Sequence, residues 1–213
     1  MEYKVTFLDI MHQGGPLMWV LLGFSVIALA IIAEKSLTLA IARSRDRKFA
    51  ARVRKALAEK ESGATVWDLG LQELGAQEKG PLAAVAADSL SRPNLSRDEV
   101  DEAMTSAAHR ELKRLRRGLG VLSTTANLAP LLGFLGTVTG MMISFGAIST
   151  AGLQDPGLVA NGIKEALTTT AAGLTVAIPV QLAYNIFLGQ LEDLADRLEN
   201  TGELLLRTIR SEP

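Results

Sequence analysis

Thirty-seven consecutive residues, Gly118 to Gln154, carry no charged side chain, and a further 26, Ala166 to Leu191, carry none either. Between these runs stand only Asp155, Lys164 and Glu165, so residues 118–191 hold three charged side chains in 74 positions, whereas residues 43–117 hold 28 in 75. A single soluble core mixes charged and apolar residues along the chain and does not separate them in this way. Each uncharged run is long enough to cross roughly 30 Å of hydrocarbon at about 1.5 Å per residue as a helix. A third uncharged stretch, Gln13 to Ala33, is 21 residues long and rich in Leu, Ile, Val and Ala. Its Ala28-Leu29-Ala30 triplet resembles a signal-peptide cleavage site. The leading segment, however, carries Glu2 and Asp9 against Lys4, and the apolar stretch is too long for a secretory signal.

The sequence therefore reads as an all-α integral membrane protein with three transmembrane helices, the long helices extending into a helical cytoplasmic region. Basic residues near span ends stay on the cytoplasmic side. Residues 43–117 hold 16 of the 22 Lys and Arg, gathered at both edges as Arg43, Arg45, Arg47 and Lys48 and as Arg110, Lys113, Arg114, Arg116 and Arg117. The expected order is an outer segment 1–16, span 17–42, a helical cytoplasmic region 43–117, span 118–148, a short outer loop 149–157, span 158–190 and a cytoplasmic helix 191–213. The topology is then N-out, C-in. Within the cytoplasmic region, Phe49, Val53, Ala56 and Leu57 have helical spacing and Gly80-Pro81 marks a break. Ser96 to Glu99 fits a capping box, which starts a helix at about Arg97 that is expected to run through Leu112 and Leu115 directly into the second span.

Composition removes several functional classes. A net charge of -1 offers no basic face for nucleic acid. Zero cysteines exclude a disulfide framework, a thiolate metal site and a cysteine nucleophile, and His12 and His109 are too far apart to suggest a histidine metal site. No nucleophile–base constellation points to an enzyme, and no cofactor motif is present.

The chemistry lies in the spans. Glu165 stands about two turns inside the third hydrophobic helix, where an ionised side chain costs on the order of 2.5 to 3.5 kcal/mol. Such residues face a protein or water interior; the bland alternative places Glu165 at the interface beside Lys164. Thr168 and Thr169 fall at i+3 and i+4 on the Glu165 face, while Thr170 joins Gly162, Ala166, Gly173 and Ala177 on a stripe whose first reading is close helix packing. On the second span Gly133, Thr137, Gly140 and Ser144 share one narrow face and Gly136 with Gly140 makes a GxxxG; the glycines again read first as packing. Counted from the outer ends, Thr137 and Glu165 lie at comparable depth. Pro130 and Pro179 each remove an amide donor, from the Ala126 and Thr175 carbonyls, and are expected to bend their helices. One protonatable carboxyl flanked by hydroxyls is the minimum needed to move protons through hydrocarbon. Three helices cannot enclose such a path, so copies must assemble with Glu165 inward. A non-conducting scaffold or anchor for a partner protein is the alternative, and it would not need Glu165.

Two stretches carry a specific resemblance. Asn127-Leu-Ala-Pro-Leu-Leu-Gly-Phe-Leu-Gly-Thr-Val-Thr-Gly-Met-Met142, followed by Ser144-Phe145, and Gly162-Ile-Lys-Glu-Ala-Leu-Thr-Thr-Thr-Ala-Ala-Gly-Leu-Thr-Val-Ala-Ile-Pro-Val180, then Tyr184-Asn185, resemble the ExbB/TolQ/MotA family of proton-channel subunits of ion-driven motors. Gly14-Gly-Pro-Leu-Met-Trp19 is similar to ExbB-like chains at the first span. The short cytoplasmic region is closer to ExbB and TolQ than to the larger MotA stators. The resemblance implies a homopentamer in the bacterial inner membrane around a single-span ExbD/TolR-like partner with a membrane aspartate, energising a TonB- or TolA-like transducer, gliding or another client. Glu165 matches the family's intramembrane glutamate, and Thr137 and Thr170 its two pore threonines. The chain departs from the pattern at Asn161, where proline is common, and at Lys164, where a small residue is common.

Overall fold

A computed structural model describes residues 7–58, 80–89, 96–151 and 156–210, all helical apart from short junctions. Among the described residues six helices follow in order: α1 (Phe7–Gln13), α2 (Pro16–Ala58), α3 (Pro81–Ser89), α4 (Arg97–Arg116), α5 (Leu119–Ala151) and α6 (Pro156–Arg210). Three of them, α2, α3 and α6, open on proline, whose missing amide costs nothing in a first turn that has no intrahelical acceptor. Helices α2, α5 and α6 are each long and apolar enough to cross a membrane. The protein is an all-α membrane protein with three such helices.

The chain divides into two compact units. The first comprises Met1–Ala33 and Gly118–Ile186, which hold the apolar stretches of all three long helices. Its core joins Met11 of α1, Met18 and Leu21 of α2, Ala129 of α5 and Ala177 of α6, with Leu22, Leu132, Ala172 and Val176 packed against them. Most of its large side chains instead face outward, including Val26, Leu29, Leu131, Phe134, Met142, Phe145, Leu167 and Ile178. That is the arrangement expected where lipid or neighbouring helices, and not water, complete the burial. Pro130 and Pro179 lie inside continuous helices.

The second unit comprises Glu34–Arg117 and Phe187–Pro213. Its buried apolar side chains come from four helices: Phe49 and Val53 from α2, Leu82 and Val85 from α3, Val100 and Met104 from α4, and Leu191, Leu194 and Leu198 from α6. Helix α4 starts at Arg97 behind a capping box in which the Glu99 amide donates to Ser96 Oγ (3.4 Å) and the Ser96 amide to Glu99 Oε2 (2.8 Å). The helix does not run unbroken into the second span. It stops at Arg116, and Gly118 adopts φ 86° before α5 begins at Leu119. A glycine can take up a positive φ without a Cβ clash, and here one residue ends one helix and starts the next. The apolar and basic pattern on either side gave no sign of it. Helix α6 is one helix from Pro156 to Arg210 and continues unbroken through position 190, where the sequence places the end of the third span.

Asp46, from the basic stretch of α2, is the one buried carboxylate among the described residues of this unit, at 1% exposure. Its Oδ1 accepts the Leu82 amide (3.1 Å) and so caps the first turn of α3. A Cβ on Gly80 would lie 2.8 Å from that oxygen, so glycine there leaves the carboxylate its room. Oδ2 has no hydrogen-bond partner among the described residues. A small cavity, lined by Arg43, Gln190, Asp193 and Arg197 among others, adjoins it. Burial raises the Asp46 carboxyl from 3.8 to about 6; the Leu82 amide and then the Arg197 charge oppose this, and Glu111 adds to it. Because the folded state holds this proton more tightly than the unfolded chain, the unit gains stability as pH falls from about 6 toward 3.8, and carries the full cost of the buried charge above pH 6. Asp46→Asn keeps an acceptor for Leu82 and removes the charge. It is expected to stabilise the protein by about 1 to 3 kcal/mol at pH 7.5 and to have little effect near pH 4. Thermal unfolding at the two pH values checks this, and equal effects at both would contradict it.

Candidate functional site

The site is built on the seam between α5 and α6, which run antiparallel. At the C-terminal end of α5's side of the seam, Ser144 Oγ donates to the Val159 carbonyl (3.0 Å) as well as to Gly140 (3.1 Å) in its own helix. One level further along, a Cβ on Gly140 would lie 2.6 Å from the Gly162 carbonyl oxygen and 2.9 Å from Ala166 Cβ. Next, a Cβ on Gly136 would overlap the Thr169 hydroxyl, with Thr169 Cβ at 2.5 Å. A Cβ on Gly133 would be 3.0 Å from Thr170 Cα, and one on Gly173 would be 2.5 Å from the Ala129 carbonyl oxygen. Glycine at spacings of three, four and seven thus puts two backbones in contact along about four turns, the geometry that small-residue stripes permit in membranes. Across the seam Thr170 Oγ1 donates to the Gly133 carbonyl (2.7 Å).

The hydroxyls therefore divide. Thr169, 1% exposed, turns its Oγ1 onto the Glu165 (2.8 Å) and Ala166 (3.0 Å) carbonyls and is enclosed in the seam. Thr170 bonds between helices. Thr137 is half-buried and donates to the Phe134 carbonyl (2.6 Å) of its own helix. Its place between Gly136 and Gly140 sets it between the levels of Thr169 and Ala166 on α6. Thr168 and Glu165 are half-buried. Gly133, Gly140 and Ser144, which share Thr137's helical stripe, point into the seam and not into open space.

Glu165 meets a neighbour that helical spacing could not supply. Gly15, at the junction of α1 and α2, has φ 69°, and a Cβ built on it would overlap Glu165 Oε1. A second residue unmarked by the sequence is Thr125 on α5, 0% exposed, whose hydroxyl has no partner among the described residues. Polar spacing could have nominated it, since it lies eight residues before Gly133, but nothing in its local sequence separates it from Thr124. Among the described residues no three His, Cys, Asp or Glu side chains gather where they could share a metal ion.

A carboxyl held in an apolar helix, beside a hydroxyl-bearing seam, in a chain with three helices fit to span a bilayer, sets the terms for comparison with known proteins. Residues 77–200 match the model of the MotA/TolQ/ExbB proton channel family. The chain belongs to this family. It is 32% identical to the biopolymer transport protein ExbB-like 3 of a Synechocystis species over 94% of this chain and 95% of that one. It is also 32% identical to the Tol-Pal system protein TolQ of Haemophilus influenzae, over 87% of this chain and 85% of the relative. An ExbB homologue of Methanothermobacter thermautotrophicus is 36% identical over 61% of this chain, a region spanning 45% of that relative's length. The family match covers α4, α5, most of α6 and the α3 segment, so both sides of the seam and Glu165 fall inside it. Gly15 lies outside that match, and its contact with Glu165 comes from the structure alone.

Proposed function

We propose that this member of the MotA/TolQ/ExbB family is a proton-conducting stator subunit of a motor driven by the proton-motive force in the bacterial inner membrane. The observation that carries the reading is Glu165: an ionisable side chain two turns inside an apolar helix, half-buried, at the edge of the face by which that helix packs closely on α5. Five copies enclose a path that one copy cannot, with α5 and α6 facing the axis and the large outward side chains meeting lipid or the neighbouring copy. The basic edges of residues 43–117 support an N-out, C-in orientation. Protons enter from the outer side, visit Glu165 and a membrane aspartate of an ExbD/TolR-like single-span partner, and leave to the cytoplasm. Each proton brings roughly 2.3 kcal/mol per 100 mV. The resulting movement is passed to a TonB- or TolA-like transducer, as the transport and Tol-Pal names of the relatives suggest. The role is non-enzymatic: the work is done by proton transfer and helix movement.

Assembly is tested by native mass spectrometry of the detergent-solubilised chain, alone and with the single-span protein that copurifies with it. Five copies are expected in both samples, with additional mass from the partner in the second. A stable monomer or dimer would leave no enclosed path and would contradict the reading.

A further inference from the structure

Gly15 and the turn it makes lie directly on the proposed proton site. The turn is held on both sides: the Gly14 amide donates to the Ile10 carbonyl (3.1 Å) and the Met18 amide to the Gly15 carbonyl (3.2 Å). Gly14 is buried against Met18, and Met11 and Met18 are both anchored in the core with Ala177 of α6. The start of α2 therefore runs beside α6 in the same direction: Gly15 meets Glu165, and Met18, Leu21 and Leu22 share one core cluster with Ala172, Val176 and Ala177. At Gly15 the backbone has φ 69°, and the volume that a side chain would fill is taken by the Glu165 carboxyl: Oε1 overlaps the position of a Cβ, and Cδ lies 3.0 Å from it. Two independent features, a positive φ and the missing side-chain volume, thus coincide at one residue against one carboxyl.

We propose that Gly15 is a positioning residue of the proton site, and that the Gly14-Gly15 turn is a fixed roof over Glu165 which sets where its carboxyl sits beneath the outer face. This rests on the reading of Glu165 as the proton carrier. With the roof in place, Glu165 occupies the space left by Gly15, and a proton arriving from the start side of α2 and α6 reaches the carboxyl past this turn. A side chain at position 15 would push the carboxyl off that spot and separate it from the point of entry, without removing any protonatable group.

The test is proton flux, followed with an entrapped pH-sensitive dye, in liposomes holding the assembled chain and its copurifying single-span partner. Gly15→Ala is compared in two backgrounds, the natural Glu165 and Glu165→Asp, whose carboxyl is one methylene shorter and withdraws from the contested volume. In the Glu165 background Gly15→Ala is expected to reduce flux about tenfold with the oligomer intact, and in the Glu165→Asp background by less than about twofold. Gly15→Asn, which tolerates a positive φ, is expected to reproduce the loss, so the effect belongs to side-chain volume and not to backbone strain. The infrared carboxyl band assigned by its loss in Glu165→Gln is expected to shift in Gly15→Ala. Full flux in Gly15→Ala, or equal losses in both backgrounds with an unshifted band, would overturn the proposal. If Glu165→Gln itself conducts normally, the proton-carrier reading falls, and the band shift still decides whether Gly15 positions the carboxyl.

Discussion

Gly136→Leu is expected to destroy the fold of the membrane unit and, with it, any assembly. Gly136 sits where α6 brings the Thr169 side chain against the α5 backbone, so that even a methyl group would overlap the Thr169 hydroxyl. Thr169 cannot move aside easily, because its Oγ1 is bonded to two carbonyls of its own helix and the residue is 1% exposed. Four added carbons must force the helices apart, which breaks the contacts of Gly133, Gly140 and Gly173 and the Thr170–Gly133 hydrogen bond together. Overpacking of this kind is expected to cost roughly 3 kcal/mol or more. Gly146, on the same helix, has nothing within 4 Å of an added Cβ, and Gly146→Leu serves as the control. Thermal unfolding in detergent and the yield of folded protein are expected to collapse for Gly136→Leu and to stay near the parent for Gly146→Leu. Similar behaviour of the two variants would show that the seam does not hold the unit together.

Glu165→Gln is expected to have the opposite profile: folding and assembly retained, energised function abolished. The amide has nearly the volume of the acid and can make similar hydrogen bonds, so the space under Gly15 remains filled. What is lost is the exchangeable proton. Complementation of a strain lacking its own motor, at normal expression, reads function, and the oligomer recovered from the same membranes reads assembly. Full activity would remove Glu165 from the proton path and favour a scaffold that clamps a partner without conducting.

The three spans were legible because a hydrocarbon slab imposes a length and a polarity that charge-free runs reveal directly, and the start of α4 because a capping box is a local code of four residues. The glycine spacing of α5 and α6 announced close packing, and the seam follows it turn by turn. The hydroxyls were harder. Thr169 shares the Glu165 face by helical arithmetic, yet the helix is rotated so that this edge meets Gly136, a matter of which neighbour packs where and not of periodicity. The break at Gly118 was hidden because one glycine in a helical pattern usually costs only about 1 kcal/mol and does not end a helix. Asp46 capping α3 and Gly15 against Glu165 join residues far apart in sequence, and no local pattern in either partner encodes the meeting. Those contacts depend on how whole helices pack.

Proton flux into liposomes under an imposed pH difference and membrane potential tests the central claim most directly. The assembled chain with its single-span partner is expected to acidify the lumen at a rate that depends on the potential, and Glu165→Gln, incorporated in equal amount, is expected to reduce that rate to the level of empty liposomes. Equal flux from both, or none from the parent assembly under any potential, would contradict the account.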